Sequence, residues 1–378
     1  MGRGRILIFA NTFWYLYKFR SNLIARLEAE GYELVACAPG GDEYQERMAC
    51  RTEAFVLDRR SVNPFTELAS FARIFSLVRR ERPVCALTYT PKLNLYAALA
   101  ARLLGIPAIP NISGVGKSFA ASLFVRLPVE IAYRASLGGA AHVFFQNDAD
   151  LDYFVSRGIV RGSRSRLFGS GVDLERFAPD APPGRGERRT FLFAARLIRE
   201  KGAPEYFAAA RALAASRGDL RFLCCGAFED ADVRAELEAC AREGLVEYLG
   251  LVDDMKSLIG KVDCVVLPTY YNEGVPRILI EAIAMGRVVI STAIPGCRDV
   301  VVEGETGFFV SPRDERDLAA KMAAVADLDR AELERMGAAG RALAKRRFDE
   351  RTILDEYVEK LQTIVAAETP IPPRREAT

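Results

Sequence analysis

Short apolar runs alternate with amphipathic stretches along most of the chain, and this alternation predicts repeated strand–helix units. The apolar runs lack a period of two, which is typical of strands buried on both faces of a parallel sheet. Strands are predicted at residues 5–10, 33–38, 84–88, 143–146, 191–195 and 262–267. Helices are predicted at residues 21–30, 66–81, 95–104 and 276–285, and from residue 349 onward. The pattern favours an α/β protein with doubly wound sheets.

Two of the predicted helices carry a clear apolar face. In the helix at 66–81 that face comprises Leu68, Phe71, Ile74, Phe75 and Val78. In the last helix it comprises Ile353, Leu354, Tyr357, Val358, Leu361, Ile364 and Val365. Asn147 is placed to cap the helix that follows the strand at 143–146.

The length of 378 residues exceeds one comfortable core, so two domains are expected. A segment rich in Pro, Gly and Arg at residues 179–190 is typical of an interdomain linker. The predicted organisation is a first domain at 1–178, the linker at 179–190, a second domain at 191–348, a crossover helix at 349–367 and a disordered tail at 368–378.

A strand, a loop and a helix in the second half frame the strongest candidate site. Glu273 lies in the loop over the end of the strand at 262–267, and Glu281 lies on the following helix. Gly274, Val275 and Pro276 form the helix start, where backbone N–H groups can approach a phosphate. Two carboxylates beside an anion cradle suit a polyhydroxylated phosphate ester such as a nucleotide sugar. The alternative is that both acids are ordinary helix positions, one near the start and one exposed.

A second loop, at the end of the strand at 191–195, carries two cations. Arg196 offers a bidentate fork for phosphate oxygens, and Lys201 offers a mobile point charge. Together they can neutralise a diphosphate leaving group. Taken alone, the pair is equally typical of a basic surface loop.

These motifs resemble the retaining GT-B glycosyltransferases of family 4. The matching stretches are ARLIREKG, the Glu-x7-Glu block and STAIPGCRDVVVEGETGFFV. In the first half, SVNPF, PKLNLYAALAARLLGIP, ISGVGKSF and GSGVDLERF are similar to a subgroup that extends polyprenyl-diphosphate-linked saccharides in bacterial surface-glycan or protein-glycosylation pathways. The resemblance implies two Rossmann-like domains facing across a cleft, with the last helix crossing back to the first domain.

The resemblance also implies a reaction and roles for single residues. A sugar, an N-acetylhexosamine from its UDP form, moves to the lipid-linked saccharide with retention, and a donor phosphate oxygen takes the acceptor proton. Glu273 contacts sugar hydroxyls and Glu281 the ribose, while Arg196 and Lys201 stabilise the leaving diphosphate. No cofactor is expected, because the nucleotide sugar is a substrate. The candidates for the acceptor cleft are Asn11, Thr12, Lys92, Gly114, Gly116 and Lys117. In the loop ISGVGKSF, which holds the last three, a plain turn is the alternative.

Charge is distributed unevenly along the chain. Residues 1–170 hold 22 Lys and Arg against 14 Asp and Glu, although the whole chain carries only +2. Bulky apolar residues mixed with Lys117, Arg126 and Arg134 are typical of a helix in a membrane interface, or of a core helix with snorkelling ends. Arg126 and Arg134 are the membrane-face candidates. We therefore expect a cytoplasmic protein, peripheral on the inner face of the plasma membrane, with anionic lipid and not nucleic acid as a partner.

The Cys, Asp and His residues outside these motifs favour neither a metal site nor a Ser-His-Asp mechanism. The eight Cys are scattered without metal spacing and are typical of buried thiols in a reducing compartment. The acids of DADLD, residues 148–152, open a predicted helix, where the dipole favours them. The single histidine, His142, excludes a Ser-His-Asp mechanism unless it acts itself. The alternative functions are a non-hydrolysing UDP-sugar 2-epimerase, a transferase with a soluble acceptor and a catalytically silent sugar-binding protein.

Overall fold

A computed structural model describes residues 3–58, 61, 63–114, 123–183, 186–271 and 274–368, without the side chains of residues 123–125 and 368. The chain divides into two compact units. The first consists of Met1–Leu167 together with Thr352–Thr378, and the second of Phe168–Arg351.

The first unit is built on seven parallel strands in the order β3-β2-β1-β4-β5-β6-β7. The strands are β1 Arg5–Phe9, β2 Glu33–Pro39, β3 Arg51–Phe55, β4 Cys85–Tyr89, β5 Ala108–Ile112, β6 Val143–Phe145 and β7 Arg164–Arg166. The helices are α1 Phe13–Ala29, α2 Pro64–Glu81, α3 Pro91–Leu103, α4 Leu123–Leu137 and α5 Asp148–Ser156. The last helix, α13 Glu350–Glu368, lies almost wholly in this unit.

Side chains alternate across the first sheet, so that each face has its own core. One face packs against α2, α3, α4 and α5. The other packs against α1 and α13, where Ile353, Tyr357, Val358 and Leu361 are buried as the pattern of the last helix predicts. Helices on both faces explain why the strands have no polar alternation.

The second unit contains six parallel strands in the order β10-β9-β8-β11-β12-β13. They are β8 Arg189–Ala194, β9 Leu220–Cys225, β10 Glu247–Tyr248, β11 Cys264–Leu267, β12 Val288–Thr292 and β13 Gly307–Val310. The helices are α6 Ala203–Ala214, α7 Ala231–Arg242, α8 Met255–Ile259, α9 Arg277–Ala284, α10 Pro295–Arg298, α11 Glu315–Asp327 and α12 Arg330–Arg347. A short 3-10 helix, Arg199–Lys201, precedes α6. Two doubly wound parallel sheets confirm the predicted α/β fold class.

The predicted start of the first helix is wrong. The helix was expected to begin at residue 21, but α1 begins at Phe13. Thr12 accepts a hydrogen bond from the Tyr15 N–H (3.0 Å), and the distant Asp42 carboxylate accepts one from the Phe13 N–H (3.0 Å). Because one of the two caps comes from another part of the chain, local sequence did not reveal it.

Three further details differ from the predictions. Leu68, expected on the buried face of α2, is 65% exposed. Of the thirteen strands that the structure describes, β3, β5, β7, β9, β10, β12 and β13 were not named in the prediction, and β3 gave no signal because Arg51–Phe55 is polar and contains no buried residue. Pro276 precedes α9 as its N-cap instead of lying in its first turn.

The boundary between the units falls after Leu167, earlier than the predicted end of the first domain at residue 178. Two contacts hold the intervening segment on the second unit. Val172 bridges in parallel to Asp349. Arg341 donates hydrogen bonds to the Leu174 and Phe177 carbonyls (2.8 and 2.9 Å).

Candidate functional site

The second sheet reverses its winding between β8 and β11. From β8 the chain proceeds outward to β9 and β10, and then returns to place β11 on the other side of β8. In open α/β sheets the crevice at the carboxyl end of such a switch point is where ligands bind. The loops that follow β8 and β11 are the two in which the sequence places candidate residues.

One backbone carbonyl fastens these two loops together. The Glu200 carbonyl accepts hydrogen bonds from the N–H groups of Tyr270 (2.9 Å) and Tyr271 (3.1 Å) and from the Thr269 hydroxyl (3.1 Å). Next to it, Gly202 has φ 81°, and a Cβ on this residue would lie 2.4 Å from the Pro268 carbonyl oxygen. The approach of the two loops therefore requires glycine at position 202.

Both predicted cations lie against a single tyrosine ring. The Arg196 guanidinium carbon is 5.8 Å and the Lys201 ammonium 5.6 Å from the centre of the Tyr271 ring. Arg196 also pairs with Glu229 at 3.2 Å, and both side chains of that pair are more than a third exposed. The loop after β8 thus presents two positive charges together at the switch point.

The third component is the start of α9. Gly274 and Val275 are buried, and Pro276 caps the helix in an extended conformation. Val275 packs against Gly169, which has φ 70° and on which a Cβ would lie 3.1 Å from Val275 Cβ. The glycine-rich stretch at 169–171 therefore packs against the residues at the start of α9. The dipole of α9 favours an anion at that start.

Glu281 is buried within α9 and is not an exposed helix position. The side chain of Arg277, one turn earlier, donates from Nε to Glu281 Oε1 (2.8 Å) and from Nη1 to the Ser170 hydroxyl (3.3 Å). Burial raises the pKa of the Glu281 carboxyl, and the Arg277 charge opposes that rise. Arg277 thereby fixes the orientation of this carboxylate. Glu273 lies outside the described residues.

The first sheet has an equivalent switch point between β1 and β4. Of the acceptor-cleft candidates, Thr12 is the N-cap of α1 and Asn11 lies just before it. Lys92 donates to the Asp58 and Ser61 carbonyls (both 2.8 Å) and pairs with Glu67 (2.7 Å). The Lys92 ammonium therefore links α3 to the segment before α2 and to the first turn of α2.

The segment after β5 holds the remaining acceptor candidates. Gly114 follows β5 with φ 114°. Gly116 and Lys117 lie outside the described residues. Their placement at the switch point stays a prediction from the sequence.

The two membrane-face candidates on α4 are engaged within the protein. Arg126 pairs with the buried Glu130 (3.4 Å), and Arg134 donates to the Arg157 carbonyl (2.8 Å). Leu127 and Ile131, one turn apart on the same helix, are instead 56% and 54% exposed. No described helix has both the length and the apolar composition needed to span a bilayer.

His142 is a buried structural residue. Its Nδ1 contacts the Ser163 hydroxyl (2.8 Å) and its Nε2 the Ser165 hydroxyl (3.1 Å). Burial, assisted by the charge of Lys360, lowers its pKa to about 4. Its surroundings therefore favour a neutral imidazole.

The acidic strings serve as helix starts. Asn147 caps α5 by accepting from the Asp150 N–H (2.8 Å), as predicted. Asp230 caps α7. Within the part of the chain that the structure describes, no group of three or more His, Cys, Asp or Glu side chains could hold a metal ion. All eight Cys are free thiols, and Cys50 alone among them is not fully buried.

Sequence reasoning missed three residues of the site. Tyr271 was not among the predicted site residues, yet its ring contacts both cations. Arg277 and Ser170 form the chain of contacts that orients Glu281. An Arg four residues before a Glu on a predicted helix was the available signal for Arg277. Ser170 lies in the matching stretch GSGVDLERF, but the sequence carried no signal for its contact with Arg277, which is 107 residues away.

Comparison with known proteins identifies both halves of the chain. Residues 18–171 match the family model of a glycosyl transferase 4-like domain, and residues 188–327 match glycosyl transferases group 1. A similar protein is the N,N'-diacetylbacillosaminyl-diphospho-undecaprenol alpha-1,3-N-acetylgalactosaminyltransferase of Campylobacter jejuni, 24% identical over 93% of this chain and 96% of that one. An Escherichia coli UDP-Gal:alpha-D-GlcNAc-diphosphoundecaprenol alpha-1,3-galactosyltransferase is 24% identical over 68% of this chain and 69% of its own.

Solved structures agree on the fold. The Anabaena HepE protein in complex with UDP superposes with a TM-score of 0.76 at 19% identity, over 95% of this chain and 100% of that one. A sucrose-phosphate synthase from Thermosynechococcus elongatus gives 0.76 at 18% identity, over 96% and 100%. With one family domain on each parallel sheet, the chain belongs to the family 4-like GT-B glycosyltransferases.

Proposed function

We propose that this glycosyltransferase moves an N-acetylhexosamine from a UDP-sugar, with retention, to a saccharide linked to polyprenyl diphosphate. The observation that carries the proposal is the pair of cations, Arg196 and Lys201, held over Tyr271 at the switch point of the second sheet. The relatives in C. jejuni and E. coli bear names that specify undecaprenol-diphosphate-linked acceptors. The HepE structures contain UDP, UDP and glucose, or UDP-glucose.

The two cations suit the departure of a diphosphate. Charge develops on the phosphate oxygens as the glycosidic bond breaks, and fixed cations stabilise it without reorganisation. The pair between Arg196 and Glu229 is solvent-exposed, and such pairs contribute about 0–1 kcal/mol. Exchanging this partner for a phosphate therefore costs little.

The carboxylates suit the hydroxyl groups of the donor. On this proposal Glu281 accepts hydrogen bonds from the ribose, and its orientation by Arg277 prepares it for that contact. Glu273, assigned from the sequence, contacts the sugar. The backbone N–H groups at Gly274 and Val275 meet the phosphate. A donor phosphate oxygen accepts the proton of the attacking hydroxyl, so the scheme requires neither a cofactor nor a metal ion.

A donor and acceptor panel tests this proposal. The enzyme is incubated with UDP-GlcNAc, UDP-GalNAc, UDP-glucose and UDP-galactose, with and without a short polyprenyl-diphosphate-linked saccharide. We expect α-linked transfer from a UDP-N-acetylhexosamine only when the acceptor is present. Conversion of the UDP-sugar to its 2-epimer without acceptor would favour the epimerase alternative. Transfer to the free saccharide at the same rate would favour a soluble acceptor.

We also propose that the first unit attaches to the anionic inner face of the plasma membrane through α4. The support is the pair of exposed apolar side chains, Leu127 and Ile131, in the half of the chain with excess positive charge. The double variant Leu127→Gln/Ile131→Gln should weaken binding to anionic vesicles, and rising salt should weaken it further. Leu251→Gln, 79% exposed in the second unit, is the matched control. Equal losses in both variants would remove α4 from this role.

A further inference from the structure

The junction between β4 and α3 holds a strained residue. Thr90 has φ 69° and ψ 147°, a left-handed backbone conformation, although its side chain is β-branched. Such conformations are destabilising, and they concentrate at ligand sites. This junction lies at the switch point of the first sheet, where α/β sheets bind ligands.

The polar groups beneath the junction form a buried network in which each member finds a partner. The Thr88 hydroxyl donates to Asn94 Oδ1 (2.8 Å), and Asn94 Nδ2 donates to the Asn111 carbonyl (2.8 Å). Asn111 Nδ2 donates to the Tyr357 hydroxyl (2.6 Å), and Gln146 Nε2 donates to Asn111 Oδ1 (3.0 Å). Side-chain polar groups here are therefore well matched to one another.

The Thr90 hydroxyl lies outside this network, as does the hydroxyl of the neighbouring Tyr89. Thr90 is 9% exposed, and among the described residues its hydroxyl oxygen has no hydrogen-bond partner. An unpaired buried hydroxyl is costly, and it is uncommon in folded proteins. Packing alone gives no reason for a strained threonine with an unpaired hydroxyl at this position, whereas a ligand bound to the hydroxyl would.

A buried positive charge lies against the residue that precedes Thr90. Arg20 is 3% exposed, and its guanidinium carbon lies 4.1 Å from the centre of the ring of Tyr89, the residue before Thr90. Its Nη2 donates to the Tyr15 hydroxyl (3.1 Å), while its Nε has no partner within the described part of the chain. Among the described residues no carboxylate forms an ion pair with Arg20. A buried cation without a counter-charge favours an anion in its vicinity.

We infer that Thr90 binds a phosphate oxygen of the lipid-linked acceptor through its hydroxyl, at a position made attractive to anions by the buried charge of Arg20. This inference rests on the proposed function, because it assumes a diphosphate acceptor. The strained backbone orients the hydroxyl, which donates a hydrogen bond to the phosphate oxygen. Arg20 acts as a positioning residue through Tyr89 and Tyr15.

Three substitutions at position 90 separate binding from folding. Thr90→Val keeps the branched shape and removes the hydroxyl, Thr90→Ser keeps the hydroxyl, and Thr90→Gly relieves the backbone strain. Thr90→Val should raise the KM for the lipid-linked acceptor at least about tenfold, the effect of losing a hydrogen bond to a charged group. Because Thr90→Ser keeps the hydroxyl, its KM for the lipid-linked acceptor should stay within about threefold of the wild-type value. The thermal midpoint should not fall in any of the three.

Arg82→Gly is the control for strain. Arg82 also has a left-handed conformation, φ 44°, at the end of α2 in the same unit. Both Arg82→Gly and Thr90→Gly should raise the thermal midpoint, but only Thr90→Gly should weaken binding of the acceptor. A loss of acceptor binding in both variants would overturn the inference.

A competition assay identifies which diphosphate is bound. A short polyprenyl diphosphate without sugar should compete with the acceptor in the wild type and compete about tenfold less well in Thr90→Val, while the Kd for UDP stays unchanged. Equal weakening of UDP binding would assign Thr90 to the donor and overturn the inference. So would an acceptor KM within twofold of wild type in Thr90→Val. Failure of the wild type to use a lipid-linked acceptor would instead overturn the proposed function.

Discussion

At the switch point of the second sheet, the exposed Arg196 and the partly buried Lys201 lie against a tyrosine ring. The equivalent point of the first sheet is instead lined by a buried network of neutral side chains, with the buried Arg20 against Tyr89. Arg196 is 46% exposed on its side chain, and its partner Glu229 is 36% exposed. In the first unit, Thr88 and Asn111 are fully buried, and Lys92, in the first turn of α3, is bound to Glu67. Both edges follow the same winding scheme.

On the proposed function, the same fold provides two kinds of binding edge. An exposed, weakly paired cation can be transferred to a ligand at small cost. A buried polar network is rigid and admits only a ligand that satisfies the groups left unpaired. We therefore expect the second edge to be sensitive to charge and the first edge to be sensitive to shape and hydrogen bonding.

The largest expected effect comes from removing the cations of the second edge. Arg196→Ala and Lys201→Ala should each reduce kcat by about a hundredfold or more, because each removes one preorganised charge from the leaving diphosphate. The double variant should lose less than the product of the two, since both charges act on one group. Steady-state kinetics with saturating acceptor measures all three.

Arg199→Ala is the matched control for this pair. Arg199 lies in the same 3-10 turn, but it pairs with Glu236 at 3.4 Å, and both side chains are exposed. Its kcat should stay within about twofold of wild type, as expected for an exposed pair worth under 1 kcal/mol. If all three single variants fell equally, general surface charge and not a specific cradle would explain the effect.

The second edge was predictable from sequence because its parts are local. A buried strand, an Arg at its end and Lys-Gly before a helix follow one another within a dozen residues, and strand ends of a parallel sheet meet at one edge. Tyr271 escaped prediction because its contacts with Arg196 and Lys201 join loops that are far apart in sequence.

The first edge was less predictable because its hydrogen-bonded side chains are far apart in the sequence. Asn111 meets Tyr357 across 246 residues, and neither residue belongs to a motif with a known ligand. Lys92 was a candidate for the acceptor cleft on the family resemblance alone, and its pairing with Glu67 joins residues that are 25 positions apart. The helix start at Phe13 depends on Asp42, which local pattern cannot reveal.

A second prediction concerns the contact between the two loops of the second edge. Gly202→Ala combines a left-handed backbone with a Cβ 2.4 Å from the Pro268 carbonyl oxygen. We expect a loss of about 2–4 kcal/mol in the free energy of unfolding, measured by urea denaturation. Gly218→Ala is the control, because a Cβ at position 218 would have no atom within 4 Å. Equal stability of the two variants would mean that the loops do not approach as described.

A third prediction tests burial in the first unit through pH. Burial, and to a smaller extent the charge of Lys360, lowers the pKa of His142 from 6.5 to about 4. Between these two pH values the unfolded chain binds a proton at His142 and the folded protein does not. The free energy of unfolding is therefore not reduced by His142 above pH 6.5. It falls as the pH drops towards 4, and the loss at pH 5 is about 2 kcal/mol.

His142→Gln isolates that contribution. Burial raises the pKa of Asp150 to about 6, which acts in the opposite direction in the same unit, so wild type alone is a poor measure. Urea denaturation at pH 8 and pH 5 should show a smaller loss in His142→Gln than in wild type. An identical loss in both would mean that His142 is protonated freely in the folded protein.

The smallest expected effect concerns Lys92, the cation in the first turn of α3. Lys92→Met keeps the aliphatic stem but removes the bonds to Glu67 and to the Asp58 and Ser61 carbonyls. The free energy of unfolding should fall by about 1 kcal/mol, as for a partly buried ion pair, while the acceptor KM changes less than about twofold. Lys345→Met, exposed in the last turn of α12, should change neither quantity. A tenfold rise in acceptor KM with unchanged stability would make Lys92 a substrate contact, and the first edge would then depend on exposed charge as the second does.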